Sequence, residues 1–208
     1  MTTVDLPTTE GAHHDEAPSH PATSTGLTNE KVAMWAFLGS ECLLFGGLIS
    51  TYLLYKGQSE PGTIRPHDIF DIPYTSVSSF VLLMSSLTMV LALSAIQKGN
   101  HRALRVWLLT TALLGGSFVA GQCYEFTVFV REGLNLRTNL FGSSFYIMTG
   151  FHGAHVTIGV LMLLSLWSLS VKGRLPSEKA EVVELIGLYW HFVDIVWIVI
   201  FTLVYLIP

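Results

Sequence analysis

Two short blocks place ionisable side chains inside otherwise apolar sequence. "FHGAHV" carries His152 and His155, and "YWHFVD" carries His191 and Asp194. Both pairs are spaced i,i+3, which on a helix puts each pair on one face. Glu41 in "GSECLLFGG" and Glu125 in "GQCYEF" stand in similar surroundings. Carboxylates and imidazoles brought together from several helices could do three things. They could hold a metal, but a dimetal carboxylate bundle uses Glu-x-x-His on two helices together with further glutamates. No Glu-x-x-His lies within the apolar segments, so a metal site is not expected. They could pass protons as a carboxylate and histidine relay. Or they could be hydrogen-bonded joints that hold helices in register, each worth only about 0.6 kcal/mol on average in a membrane. The residue types alone leave the relay and the joint open.

The elements that must position these groups are membrane helices. Half of the 208 residues are hydrophobic and 12% are charged, far from the charged quarter of a soluble domain. The mean hydropathy is +0.53. Five apolar segments, 32–55, 74–96, 103–130, 141–171 and 183–207, each exceed the roughly 20 residues that cross about 30 Å of hydrocarbon. The expected fold is therefore all-α: a polytopic transmembrane bundle of five helices over 31–208. Residues 1–30, rich in Thr, Pro, His and acids, read as a disordered polar tail. His13, His14 and His20 of that tail have no metal-ligand spacing. The start lacks the basic-then-apolar pattern of a secretory signal, so the first helix is expected to direct insertion. The connection 56–73 has the Gly and Pro content of an ordered loop. No repeat of helices is evident, which disfavours a repeat-built transporter.

Basic residues set the orientation. Lys31, Lys98, Arg102, Arg105, Lys172, Arg174 and Lys179 fall on the side of the N-terminus, and Lys56, Arg65, Arg131 and Arg137 on the other. Seven against four predicts a cytoplasmic N-terminus and an external C-terminus. Lys98, Arg102 and Arg105, in the turn between helices 2 and 3, are placed at headgroup level, where each could gain about 1 kcal/mol from anionic lipid. A net charge of -4 without a basic run gives no hint of nucleic acid. Cys42 and Cys123 fall in opposite halves of the bilayer and are expected to stay reduced.

An ionisable group facing lipid alone is costly, so these side chains should turn inward and find partners. Counting about 1.5 Å per residue from the helix ends places Glu41, His155 and His191 near the bilayer middle. Glu125 falls nearer the outer interface and apart from them. A carboxyl group buried in hydrocarbon must be protonated or hydrogen-bonded. For Glu41 the first expected partner is His155 and the second His191.

The blocks "GSECLLFGGLISTY" (39–52), "GQCYEF" (121–126), "FGSSFYIMTGFHGAHVTIG" (141–159) and "YWHFVDIVWIVIFTLVYL" (189–206) closely resemble, in sequence and in order, the subunit III family of haem-copper terminal oxidases. The likeness runs from Trp35 to Leu206, in the shorter five-helix bacterial form that lacks two initial helices. It implies an accessory subunit of the bacterial cell membrane, without a redox centre or cofactor of its own. Haem and copper would lie in partner subunits I and II, with a small subunit IV as a further partner and phospholipid bound. Glu41, Glu125, His152, His155, His191 and Asp194 would be buried polar support for proton uptake by the complex, with no catalytic residue and no metal among them. The Tyr189-Trp190 pair and the valine of "HFVD" look more like members serving cytochrome c oxidases than those serving quinol oxidases. A stand-alone membrane proton channel is the reading from another class.

Overall fold

The computed structural model describes residues 28–56, 72–131 and 140–207. Its five long helices are α1 (Asn29–Lys56), α2 (Ile72–Gln97), α3 (His101–Arg131), α4 (Leu140–Val171) and α5 (Ala180–Phe201). All are long and apolar enough to cross a membrane, and the chain is a polytopic, all-α membrane protein. The proposed tail falls outside the described residues except at its end, where Asn29 and Glu30 already belong to α1. Most of the 56–73 connection, Arg65 and Arg137 also lie outside them.

Boundaries shift from the expected ones for local reasons. The last helix begins at Ala180 because a 3-10 turn, Ser177–Lys179, runs directly into it. It ends in a widened π turn, Thr202–Leu206, closed by Ile207 N–H donating to the Thr202 carbonyl at 3.1 Å. The Lys56 ammonium at the end of α1 donates to the Ile207 carbonyl (2.6 Å) and to that of Leu203 (3.5 Å), satisfying acceptors that a helix end leaves open.

Both short turns at the basic end use glycine. Gly99 (φ 70) and Gly173 (φ 68) take the left-handed conformation that ends α2 and α4. The following N–H groups reach back, Asn100 to the Ala95 carbonyl and Arg174 to the Leu169 carbonyl, both at 2.9 Å. Asn100 then caps α3, its Oδ1 accepting from Ala103 N–H at 3.1 Å.

Helices α2, α3, α4 and α5 close a ring, α2 on α3, α3 on α4, α4 on α5 and α5 on α2, while α1 packs against α4 and α5. The ring is centred on tryptophan. Trp190 and Trp197 of α5 are buried, and their indole N–H groups donate to Ser85 Oγ (2.9 Å) and Ser79 Oγ (2.8 Å) of α2. The Trp190 ring fills a notch made by Gly115 of α3 and Gly159 of α4. A Cβ at those positions would lie 2.4 Å and 2.7 Å from ring carbons. Small residues thus bring three helices together where hydrophobic driving force between helices is absent.

Helix α1 is held differently. Its buried residues Leu38, Phe45 and Tyr52, together with the half-buried Lys31, Met34, Glu41, Leu48 and Tyr55, form one narrow seam of alternating three- and four-residue steps. Such a spacing is the seam of a helix contacting its neighbours along one line. Trp35, Leu43 and Leu54 face outward. The seam is fixed at the basic end by Thr28 donating to Glu181 and by a Lys31–Glu184 ion pair at 3.0 Å.

Candidate functional site

Glu41 lies on the α1 seam, and that places it against α4 rather than lipid. Its Oε2 is 3.1 Å from His155 Nε2, and both side chains are about nine-tenths hidden, at 14% and 13% exposure. His155 Nδ1 is 2.7 Å from the carbonyl of Phe151, one turn earlier. A carbonyl only accepts, so Nδ1 carries a hydrogen and the neutral ring presents Nε2 as acceptor. One proton therefore lies between His155 and Glu41, on the acid in a neutral pair or on the ring in an ion pair. Phe45 meets the His155 ring edge-on with centroids 5.2 Å apart. The Tyr189 hydroxyl donates to the His155 carbonyl at 2.9 Å, so α5 supports the pair as well.

His191 does not join Glu41. It leaves α5 toward α2, and its Nδ1 is 2.9 Å from Ser86 Oγ. Ser86 Oγ also donates to Asp194 Oδ2. The i,i+3 spacing of His191 and Asp194 thus brings both onto one serine across the helix interface. Asp194 is buried at 2% exposure and its Oδ1 has no hydrogen-bond partner, whereas His191 and Ser86 are half-buried.

His152 is a core residue. It is fully buried, its Nε2 donates to the Val193 carbonyl at 3.3 Å, and its Nδ1 has no partner. Phe118 packs edge-on to its ring at 5.8 Å and Trp197 lies 4.8 Å away. Glu125 is buried and accepts a hydrogen bond from Thr75 of α2 inside the bundle. The structure therefore separates the candidate residues into three polar junctions between helices and one buried histidine. Among the described residues no three His, Cys, Asp or Glu side chains converge as a metal would require. Cys42 and Cys123 are free and exposed on the bundle surface. In the basic turn, Lys98 and Arg102 are exposed, but Arg105 is half-buried and its Nε donates to Ser170 Oγ of α4 at 3.4 Å, which ties it to the protein.

The partners that sequence reading missed are neutral. Thr75, Ser79, Ser85 and Ser86 of α2, Gln122 of α3, whose Nε2 donates to the Thr149 carbonyl at 3.0 Å, and Tyr189 of α5 complete the junctions. The available signal was α2 itself, a 26-residue helix without a charged residue but rich in Ser and Thr. Such side chains in a membrane helix hydrogen-bond across to neighbours.

Comparison with known proteins covers almost the whole chain. The family model described as Cytochrome c oxidase subunit III matches residues 19–207. Cytochrome c oxidase subunit 3 of Bacillus sp. (strain PS3) is 38% identical over 190 residues, 91% of this chain and 91% of that one. Quinol oxidase subunit 3 of Bacillus subtilis (strain 168) is 36% identical over 199 residues, 95% of this chain and 97% of that one. Cytochrome c oxidase subunit 3 of Thermostichus vulcanus is 37% identical over 194 residues, 93% of this chain and 92% of that one.

Proposed function

The chain belongs to the cytochrome c oxidase subunit III family, which takes in the quinol oxidase subunits 3, and on that premise we propose that it is a non-catalytic accessory subunit of an oxygen-reducing terminal oxidase in a bacterial cell membrane. The observation that carries this reading is the near full-length match to oxidase subunits of both kinds. In the assembly, subunits I and II would hold the haem and copper and carry out electron transfer, oxygen reduction and proton pumping. A small subunit IV would complete it. This chain packs on that core, contacts phospholipid along its apolar outer surface, and sustains proton uptake. Its basic end, with Lys98 and Arg102 at headgroup level, faces the cytoplasm.

The polar junctions suit a supporting role. Glu41–His155 joins α1 to α4, His191 and Asp194 join α5 to α2 through Ser86, and Glu125–Thr75 joins α3 to α2. Each spans two helices inside the bundle, and the Tyr189 hydroxyl on the His155 carbonyl ties the α1–α4 pair to α5, so that the five helices are linked in register.

A quinol-oxidising assembly stands as a second reading. The residues that favoured cytochrome c, Tyr189, Trp190 and Val193, are 3%, 0% and 1% exposed. They fill the bundle interior and have no surface with which to distinguish a donor. The quinol oxidase relative from Bacillus subtilis also matches over a larger share of the chain, 95% against 91% for the Bacillus PS3 relative.

Affinity purification through a tag on this chain tests the assignment. Copurifying haem-bearing subunits and oxygen consumption are expected, and the rates with reduced cytochrome c and with a quinol identify the donor. Isolation of the chain alone, with proton flux after reconstitution into vesicles, would instead support a channel.

A further inference from the structure

Ser86 has one hydroxyl hydrogen and two hydrogen-bond partners, His191 Nδ1 and Asp194 Oδ2. One of the two bonds uses the serine hydrogen. The other therefore needs a hydrogen supplied by the imidazole or by the carboxyl group. When Ser86 donates to Asp194, His191 Nδ1–H donates to Ser86. When Asp194 is the acid and donates to Ser86, the serine O–H donates to His191 Nδ1, and the ring keeps its hydrogen on Nε2. For the electrically neutral unit these are an imidazolium with a carboxylate, and an imidazole with a carboxylic acid. They interconvert when Nδ1–H gives its proton to Ser86 Oγ while the serine hydrogen moves to Oδ2. The Nδ1–H and Ser O–H bonds break, new O–H bonds form on Ser86 and Asp194, and no heavy atom needs to travel.

The two ends of the chain differ in access. Asp194 is sealed in the bundle at 2% exposure, and its second oxygen has no hydrogen-bond partner. His191 is half-buried at the bundle edge. We propose that Ser86 bridges His191 and Asp194 into one proton-sharing chain, through which the buried carboxyl group exchanges its proton with the half-buried imidazole.

The titratable neighbours are few. On α4 they are His152, which reaches Val193, and His155, which pairs with Glu41 of α1. The α2 helix offers no charged residue, and α3 offers none between Val106 and Gln122. The inference concerns this chain's own residues and holds for either electron donor.

Infrared spectroscopy of the purified complex across a pH series tests it, with the Asp194 carboxyl band identified by its loss in Asp194→Asn. Sharing through Ser86 makes the pair titrate together, so His191→Gln should move the midpoint of the Asp194 band by about one pH unit in the native background. In Ser86→Ala that dependence should be lost, and in Ser86→Thr, which keeps a hydroxyl, it should return. Should Ser86→Ala fail to assemble, the native and His191→Gln spectra decide alone. An Asp194 band whose midpoint ignores His191, or one that still follows His191 in Ser86→Ala, overturns the proposal.

Discussion

Among the described residues Glu41 bonds to His155 at 3.1 Å, and the consequences of changing it follow from that bond. Glu41→Gln places an amide N–H donor opposite His155 Nε2 and should leave thermal stability near the native value. Glu41→Ala leaves that nitrogen buried without a partner, a loss of about 1–3 kcal/mol, and should lower the unfolding midpoint of the complex measured by differential scanning fluorimetry in detergent. Equal midpoints for the two variants would mean that the bond does not hold α1. The position of the shared proton is a separate matter, and a hydrophobic carbodiimide reports it because the reagent attacks the acid form. Mass spectrometry of the treated complex should find Glu41 modified ahead of the exposed Glu178, and equal modification would point to the ion pair. This junction was legible in the sequence. Glu41, His155 and His191 stood at similar depth in apolar helices, and His155 was the first partner expected for Glu41. The partner of His191 was not legible by the same route, because depth along a helix says nothing about azimuth. His191 points toward α2, where a neutral serine does the bonding.

The α3, α4 and α5 contact depends on the absence of side chains at Gly115 and Gly159. Gly115→Ala puts a methyl group 2.4 Å from the Trp190 ring, so the rigid indole or the helices must move. Overpacking of this kind costs about 1–3 kcal/mol. Gly116→Ala is the control, since a Cβ there meets nothing within 4 Å. The first variant should assemble poorly and melt early on native gels and in thermal scans, and the second should behave as the native protein does. Matching losses in both would trace the effect to helix backbone rather than to the Trp190 notch. At this scale the sequence told the number and order of helices, because a long apolar run has only one use in a bilayer. It did not tell the packing. Glycines 115 and 116 are indistinguishable in the sequence, and only the arrangement of α5 decides which of them faces a tryptophan. The hydroxyls of α2 were similarly silent, since Ser and Thr in a membrane helix also bond to their own backbone, as Ser79 does to the Thr75 carbonyl at 2.7 Å.

At the scale of the whole molecule, charge among the described residues is concentrated at one end, with the α2–α3 and α4–α5 turns and the start of α1. Replacing Lys98 and Arg102 with Gln should reduce the anionic phospholipid that copurifies with the complex, as read by mass spectrometry, by an amount consistent with about 1 kcal/mol for each residue. Arg105→Gln should act instead on stability, because its side chain is bonded to Ser170. Unchanged lipid in the double variant would leave these residues with a topological role alone. Removal of residues 1–28 also removes the Thr28 hydroxyl that bonds Glu181, yet the Lys31–Glu184 ion pair remains at that end of α1. Assembly should therefore survive the truncation, and loss of the complex on native gels would count against the dispensability of this segment. Beyond the Glu41–His155 junction the contacts of α1 were not legible in the sequence, since its seam of three- and four-residue steps does not say which helices it meets. They carry a consequence for biogenesis. Of the five helices, α1 is made before the others yet finds its place after them, because its binding surface is built from α4 and from α5, the last two of the five. Until His155 enters the bilayer Glu41 lacks that partner, and until α5 is complete Lys56 lacks the Leu203 and Ile207 carbonyls. Membrane integration of this chain must therefore keep α1 waiting, in the insertion machinery or at its edge, while α2, α3, α4 and α5 are made.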